Sequence, residues 1–209
     1  DLRILGTGLV LLVLSLSGIA PASAQTRATT KVGDVHVYTG QNKTDRTSYE
    51  ETVIVTAIEG GKIRTKHSRP GRAEDIVGIY DTEWNTEQSG GSGFGYEPLF
   101  RAMSFPLEPG KKWQTSSEFT TSNGARTKTQ GDIRVVGMEK VKTAAGEFDA
   151  VRLENKGYLS GVSWQGGWAY TQTYWYAPSI DRLVKFEHKE SRPLGAESVL
   201  ELKSFKPAP

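Results

Sequence analysis

The sequence predicts an all-β fold: an antiparallel meander of about ten strands forming a barrel, a half-barrel or a strongly curved sheet, with a β-sandwich as the alternative. Three observations predict it. Runs rich in β-branched and aromatic residues recur from Tyr49 onward, each bounded by Gly, Pro, Asn or Asp. The connections between them are short, which favours antiparallel neighbours. Past residue 24, no run holds an apolar period of 3.6 over three turns, so helix is essentially absent.

Each element has its own signal. YEETVIVTAI, from Tyr49 to Ile58, is a β-branched strand, and Gly60-Gly61 divides it from KIRTKH. A glycine pair suits the primed hairpin turns, which need positive φ. Glu74 to Asp81 is a strand after the turn-like SRPGR. Gln88 to Pro98 carries four glycines without periodicity and reads as a flexible loop, and Leu99 to Met103 as a short helix. Phe105-Pro106-Leu107 and Pro109-Gly110 make an extended corner and a turn. Strands Lys111 to Thr121 and Arg126 to Val136 are joined by a turn containing Asn123-Gly124. A short strand in MEKVKT precedes a turn at Ala144 to Gly146 and a longer strand from Phe148 to about Tyr158. The change of apolar parity between Phe148 and Val151 predicts a bulge or corner nearby. Trp168 to Ala177, Arg182 to Glu190 and Glu197 to Phe205 complete the meander, with turns at Pro178 to Asp181 and Pro193 to Gly195.

The N-terminal LRILGTGLVLLVLSLSGIAPASAQ has one basic residue, Arg3, an apolar run from Leu9 to Ile19, and the small-x-small site Ala22-Ser23-Ala24. This is the pattern of a secretory signal peptide; the run is shorter than a membrane span needs. The expected organisation is a cleaved signal at 1–24 and a single β-rich domain at 25–209, periplasmic or secreted. The absence of cysteine removes disulfides, thiolate catalysis, cysteine zinc sites and lipid attachment through an N-terminal cysteine. The 26 basic and 24 acidic residues give a net charge of +2 and are scattered, so no nucleic-acid footprint is expected. No segment of the mature chain is apolar enough to span a membrane as a helix. The Lys, Arg and Glu on the strands do not suit a lipid-facing band either.

FPLEPGKKW, VVGMEKVKTAAGEFDAVRLE, TYWYAPSIDRLVKFE and LELKSFK, in this order, resemble an uncharacterised family of exported proteobacterial β-rich proteins, a domain of unknown function. The resemblance runs from about Val32 to Lys206. It implies a periplasmic, curved antiparallel sheet, distantly like the half-barrels that carry lipoproteins or lipids across the periplasm. Those carriers close their open face with helices, and this chain lacks a helical lid. The family supplies no activity and no residue role.

Motifs for catalysis are weak. His36, His67 and His188 lie far apart, and none has a partner at metal-ligand spacing. Neither GGSGF nor GVSWQ completes a nucleophile elbow, and the Gly91, Gly93, Gly95 series opens no helix for a phosphate. DTEWNTE places Asp81, Glu83, Asn85 and Glu87 at alternating positions but lacks the glycine and distal glutamate of a calcium loop, so a solvated turn is expected rather than a metal site. A carboxylate pair for glycan or ester hydrolysis, such as Glu83 with Glu147, has no sequence signature. No cofactor is expected.

The densest chemical signal is WQGGWAYTQTYWYAP, with three of the chain's five tryptophans. Strand alternation puts Trp168, Tyr170, Gln172, Tyr174 and Tyr176 on one face and Ala169, Thr171, Thr173 and Ala177 on the other, Trp175 being the exception. This face either packs a dry core or lines a semi-open cleft. Each phenol and indole needs a hydrogen-bond partner, and water or a ligand in a cleft would supply it. The five residues are therefore candidate ligand-binding residues. Three functional readings follow. One is an exported, non-enzymatic protein that binds a lipid, a lipidated protein or another amphipathic partner on an aromatic concave face, with Gly90 to Gly95 as a flap. The second is a structural or interaction protein of the cell envelope with a packed core. The third is a carboxylate-dependent hydrolase.

Overall fold

The computed structural model describes residues 27–209; the signal-peptide segment at 1–24 lies outside them. The chain forms twelve strands: β1 (Val35–Asn42), β2 (Thr47–Glu59), β3 (Lys62–Ser68), β4 (Ile76–Asp81), β5 (Thr86–Gln88), β6 (Gly95–Phe100), β7 (Lys112–Thr120), β8 (Arg126–Thr143), β9 (Gly146–Gly161), β10 (Gly167–Ala177), β11 (Arg182–Glu190) and β12 (Glu197–Lys206). Each strand pairs antiparallel with its neighbours in sequence, and β1 also pairs with β12, so the sheet closes into a barrel. Half-barrel and sandwich are thereby excluded. Closure by β1 on β12 also removes the open face that a helical lid would cover.

Several turns obey the expected chemistry. Gly60 and Gly61 have φ of +57° and +74°, as a primed hairpin turn needs, and join β2 to β3. Two expectations are corrected. The glycine-rich stretch is not one long flexible segment. A tight loop, Ser89 to Phe94, closed by a Ser89 N–H donating to the Phe94 carbonyl at 2.8 Å, separates β5 from β6. Leu99 to Met103 is no helix: Leu99 and Phe100 end β6, and the chain then runs irregularly. The glycines obscured a strand whose signal is the inward pair Tyr96 and Phe100, with ring centroids 5.9 Å apart. The third difference is at β8, where the two short strands read from sequence are one strand of 18 residues. Its register against β9 shifts between Val135 and Gly137, opposite Leu153 and Arg152, just past the parity change predicted between Phe148 and Val151. Beyond this bulge the β8–β9 hairpin turns back, and the Ala145 N–H donates to the Leu202 carbonyl at 3.4 Å. Val141 and Ala150 there join a buried cluster with Ala177, Val184 and Leu202.

The two barrel ends differ. At one end lie the β2–β3, β4–β5, β6–β7, β8–β9 and β10–β11 connections and the segment preceding β1. The β6–β7 connection crosses this end, burying Ala102, Met103 and Ser104. Asn85 accepts the Met103 N–H at 2.7 Å and donates to Asp81 at 2.9 Å. Asp81 also accepts the Glu83 and Asn85 N–H groups at 2.9 and 2.8 Å. That turn accounts for the Asp81 and Asn85 of DTEWNTE, while Glu87 pairs with Lys62 at 2.6 Å. Asp181, 3% exposed, accepts from Tyr176 at 2.5 Å and Thr30 at 2.7 Å and pairs with Arg27. This end is a packed floor. The opposite end, with the β1–β2, β3–β4, β5–β6, β7–β8, β9–β10 and β11–β12 loops, is the mouth.

The outer wall carries ion pairs, among them Arg134–Glu154 at 2.6 Å, Arg152–Glu139 at 3.0 Å and Lys185–Glu187 at 3.0 Å. Trp175 is the aromatic of β10 that faces this side, where it donates to Glu139 at 2.9 Å beneath Lys185. Among the described residues no helix is long and apolar enough to cross a membrane.

Candidate functional site

A cavity of about 480 Å³ occupies the barrel interior between floor and mouth. Strand alternation turns every second residue inward, and β10 thus contributes Tyr170, Gln172, Tyr174 and Tyr176 to its wall. Four of the five predicted residues are therefore brought together on the cavity. Trp168 is not among its lining residues. It sits at the rim, 5.4 Å from Trp164 ring to ring, with the Arg192 guanidinium 3.7 Å above it. Phe186, Phe94, Phe119 and Tyr96 extend the aromatic wall on other strands and loops.

The expectation that these phenols need water or ligand is corrected. Tyr174 donates to the Gln172 carbonyl oxygen at 2.6 Å, and Asn155 donates to the same oxygen at 2.9 Å. The Tyr170 hydroxyl lies 2.8 Å from Thr129 Oγ1, and Tyr176 donates to Asp181. The barrel wall satisfies the polar tips, so the rings present apolar surface inward. Burial raises all three phenols and, with neighbouring tyrosines, pushes Tyr96 up to about 12, so they stay neutral. Strand glycines make room for the rings. A Cβ on Gly157 would stand 2.1 Å from the Tyr170 ring, and one on Gly40 would stand 2.1 Å from that of Tyr49.

Near the mouth the wall becomes polar. Glu51 lies 3.2 Å from His67 Nδ1 and accepts from Arg69 at 3.2 Å, while His67 Nε2 meets Thr65 Oγ1 at 2.9 Å. The Arg69 guanidinium stacks 3.9 Å over Tyr49. Burial alone would raise the Glu51 carboxyl, but hydrogen bonds from His67 and Arg69 outweigh it and hold the pKa low. For His67, burial outweighs the pull of Glu51, so the pKa falls and the imidazole is neutral. Glu51 is the single acidic side chain on the cavity among the described residues. Neither Glu83 nor Glu147 lines it, so the paired carboxylates of a glycosidase are not assembled there. No group of three or more His, Asp or Glu side chains among the described residues is placed to hold a metal ion.

Sequence reasoning missed Glu51, Arg69 and Arg182 as cavity residues. Glu51 did carry a signal: it shares the inward parity of Val53 and Val55 on β2. Arg182, the first residue of β11, carried none. Of the histidines, His67 and His188 reach the cavity, while His36 is buried against Phe205, ring centroids 4.7 Å apart.

No protein-family model matches the chain. No curated protein matches it either. Solved structures do. A candidate lipoprotein from Parabacteroides distasonis superposes with a TM-score of 0.58 at 14% identity, over 85% of this chain and 96% of that one. A candidate exported protein with a YmcC-like fold from Bacteroides fragilis gives 0.58 at 14% identity, over 87% and 99%. The chain shares their fold. The resemblance to an exported β-rich family thus stands at the level of architecture, and these two structures do not bear on its proteobacterial part.

Proposed function

We propose that the barrel is an exported, non-enzymatic binding or carrier protein that takes a lipid, or another apolar or amphipathic group such as the acyl chain of a lipidated protein, into its interior. The observation that carries the reading is the cavity of about 480 Å³, walled by aromatic rings among which the hydroxyls of Tyr170, Tyr174 and Tyr176 are already hydrogen-bonded to the protein. The aromatic part of the wall offers apolar contact, and the volume falls within the range of small-molecule sites, roughly 300–1,000 Å³. The signal-like N-terminal run, together with the likeness to structures described as exported or as candidate lipoproteins, supports a periplasmic or secreted location. The loop Ser89 to Phe94 is the natural gate. Gly90 lies against the His67 ring, where a Cβ would be 2.0 Å from Nε2, and Arg72 donates to the Gly91 carbonyl at 3.2 Å.

The test is native mass spectrometry with lipid extraction of protein recovered from the periplasm, alongside titration with the neutral fluorophore N-phenyl-1-naphthylamine. Saturable fluorescence that weakens roughly tenfold or more in Tyr174→Ala, and is unchanged in Trp168→Ala, is expected. A ligand-free protein that does not take up the fluorophore rejects the proposal.

A further inference from the structure

The cavity lining holds three side chains that are fully charged at neutral pH: Glu51, Arg69 and Arg182. The first two neutralise each other across 3.2 Å. Arg182 forms no ion pair with any carboxylate among the described residues. Its Nε donates to the Tyr38 hydroxyl at 3.4 Å, and its Cζ lies 3.7 Å above the Trp84 ring. The two terminal nitrogens make no hydrogen bond among the described residues, and Arg182 lines the cavity. Arg72, half-buried, also lacks a carboxylate partner among the described residues, but it lies outside the cavity lining and donates to the Gly91 carbonyl. Three other part-buried arginines are ion-paired. Arg27 pairs with Asp181, Arg69 with Glu51, and Arg152 with Glu139 and Glu154.

A guanidinium cannot shed its proton in a protein, so Arg182 keeps its charge inside a largely aromatic chamber. The face of Trp84 compensates part of that charge and no counter-ion completes it. Trp84 sits at φ +66°, a rare conformation for a bulky residue, in the turn fixed by Asp81. The uncompensated charge is felt by its neighbours. Burial and then Arg182 push His36 down to about 3, and Arg182 contributes to lowering His67. Position matters too. Arg182 is at the packed floor, at the far end of the cavity from the mouth loops, with the rings of Tyr174, Phe186 and Tyr96 between.

We propose that the ligand is an amphiphile with an anionic head, a long-chain carboxylate being its simplest form, that enters head first and sets its carboxylate on Arg182 while its chain lies along the aromatic wall toward the mouth. This rests on the binding function proposed above and names the chemistry of its ligand. A carboxylate would accept from both terminal nitrogens of the fork, which a lysine could not offer in the same plane.

The experiment displaces N-phenyl-1-naphthylamine from the intact protein at pH 8 with hexadecanoate, hexadecanol or methyl hexadecanoate. Hexadecanoate is expected to displace at a concentration roughly tenfold or more below the two neutral analogues. Arg182→Gln should erase that preference while leaving hexadecanol displacement unchanged, which also shows that the variant is folded. Arg182→Lys should keep part of it, and Arg69→Gln should keep most of it. Equal displacement by acid and alcohol in the wild type overturns the head-group assignment, and so does a preference lost with Arg69→Gln but kept in Arg182→Gln. In either case the fluorophore is still bound and the carrier reading stands. If no fluorophore binds, both proposals fall.

Discussion

The two ends of this barrel are built from the same meander yet solve opposite problems. At the floor, apart from Arg182 and His36, buried charge and polarity are largely completed by the protein. Asp181 gathers Arg27, Thr30 and Tyr176, and Asn85 bridges Met103 and Asp81. At the mouth, large side chains rest on glycines and on one another. Tyr49 lies over Gly40, Tyr170 over Gly157 and His67 beneath Gly90. The floor is specified by directional bonds that leave little room for rearrangement. The mouth is specified by shape, which can yield. A barrel that must be stable and also admit a guest needs one end of each kind.

The comparison makes graded predictions. The largest effect is expected at the floor. Asp181→Ala strands the Arg27 guanidinium and the Tyr176 hydroxyl, and should cost about 3–5 kcal/mol in urea unfolding. A cost below that of the mouth variants would break the distinction between the ends.

Next comes acid sensitivity through His36. Its ring nitrogens have no hydrogen-bond partner among the described residues, and burial followed by the Arg182 charge holds its pKa at about 3 against 6.5 for a free histidine. The folded pKa lies below the unfolded one, so the stability associated with the neutral ring is full above pH 6.5 and drains as pH falls toward 3. His36→Phe keeps the ring beside Phe205 and cannot be protonated. Relative to wild type it should gain about 3 kcal/mol on going from pH 7 to pH 4, read from unfolding curves at the two pH values. A constant difference across that range would show that His36 does not titrate from a buried neutral state.

At the mouth, Gly157→Ala puts a methyl group into the Tyr170 ring and should cost about 1–3 kcal/mol while lowering fluorophore affinity, because the displaced ring enters the cavity. Unchanged affinity with lowered stability would mean that the ring moves outward instead. The smallest effect belongs to the gate. Arg72→Ala removes one hydrogen bond to Gly91, should cost under about 1 kcal/mol, and should speed fluorophore exchange in stopped flow. An unchanged exchange rate would place the route of entry elsewhere.

Much of the fold was legible because strand signals are local. Arg182–Glu190 was read at its observed bounds, and the turns at Gly60-Gly61 and Asn123-Gly124 follow from glycine's tolerance of positive φ. β5 and β6 were hidden because their glycines serve the loop between them, and the inward pair Tyr96 and Phe100 is too short a pattern to outweigh them. Parity correctly sorted β10 into a face with Tyr170, Gln172, Tyr174 and Tyr176. It could not show that Trp168 stops at the rim, since that depends on where the strand leaves the barrel.

The sequence by itself indicated most of the strands, the short antiparallel connections and the aromatic face of β10, because each depends on a period of two residues and on turn chemistry a few residues long. Only the tertiary structure decided that β1 meets β12, that the phenols find partners in Thr129, Gln172 and Asp181, and that Arg182 faces the cavity with no carboxylate among the described residues paired to it. Those facts join residues as far apart in the chain as Val35 and Lys206, and local propensity carries no information about which distant side chains a closed barrel brings face to face.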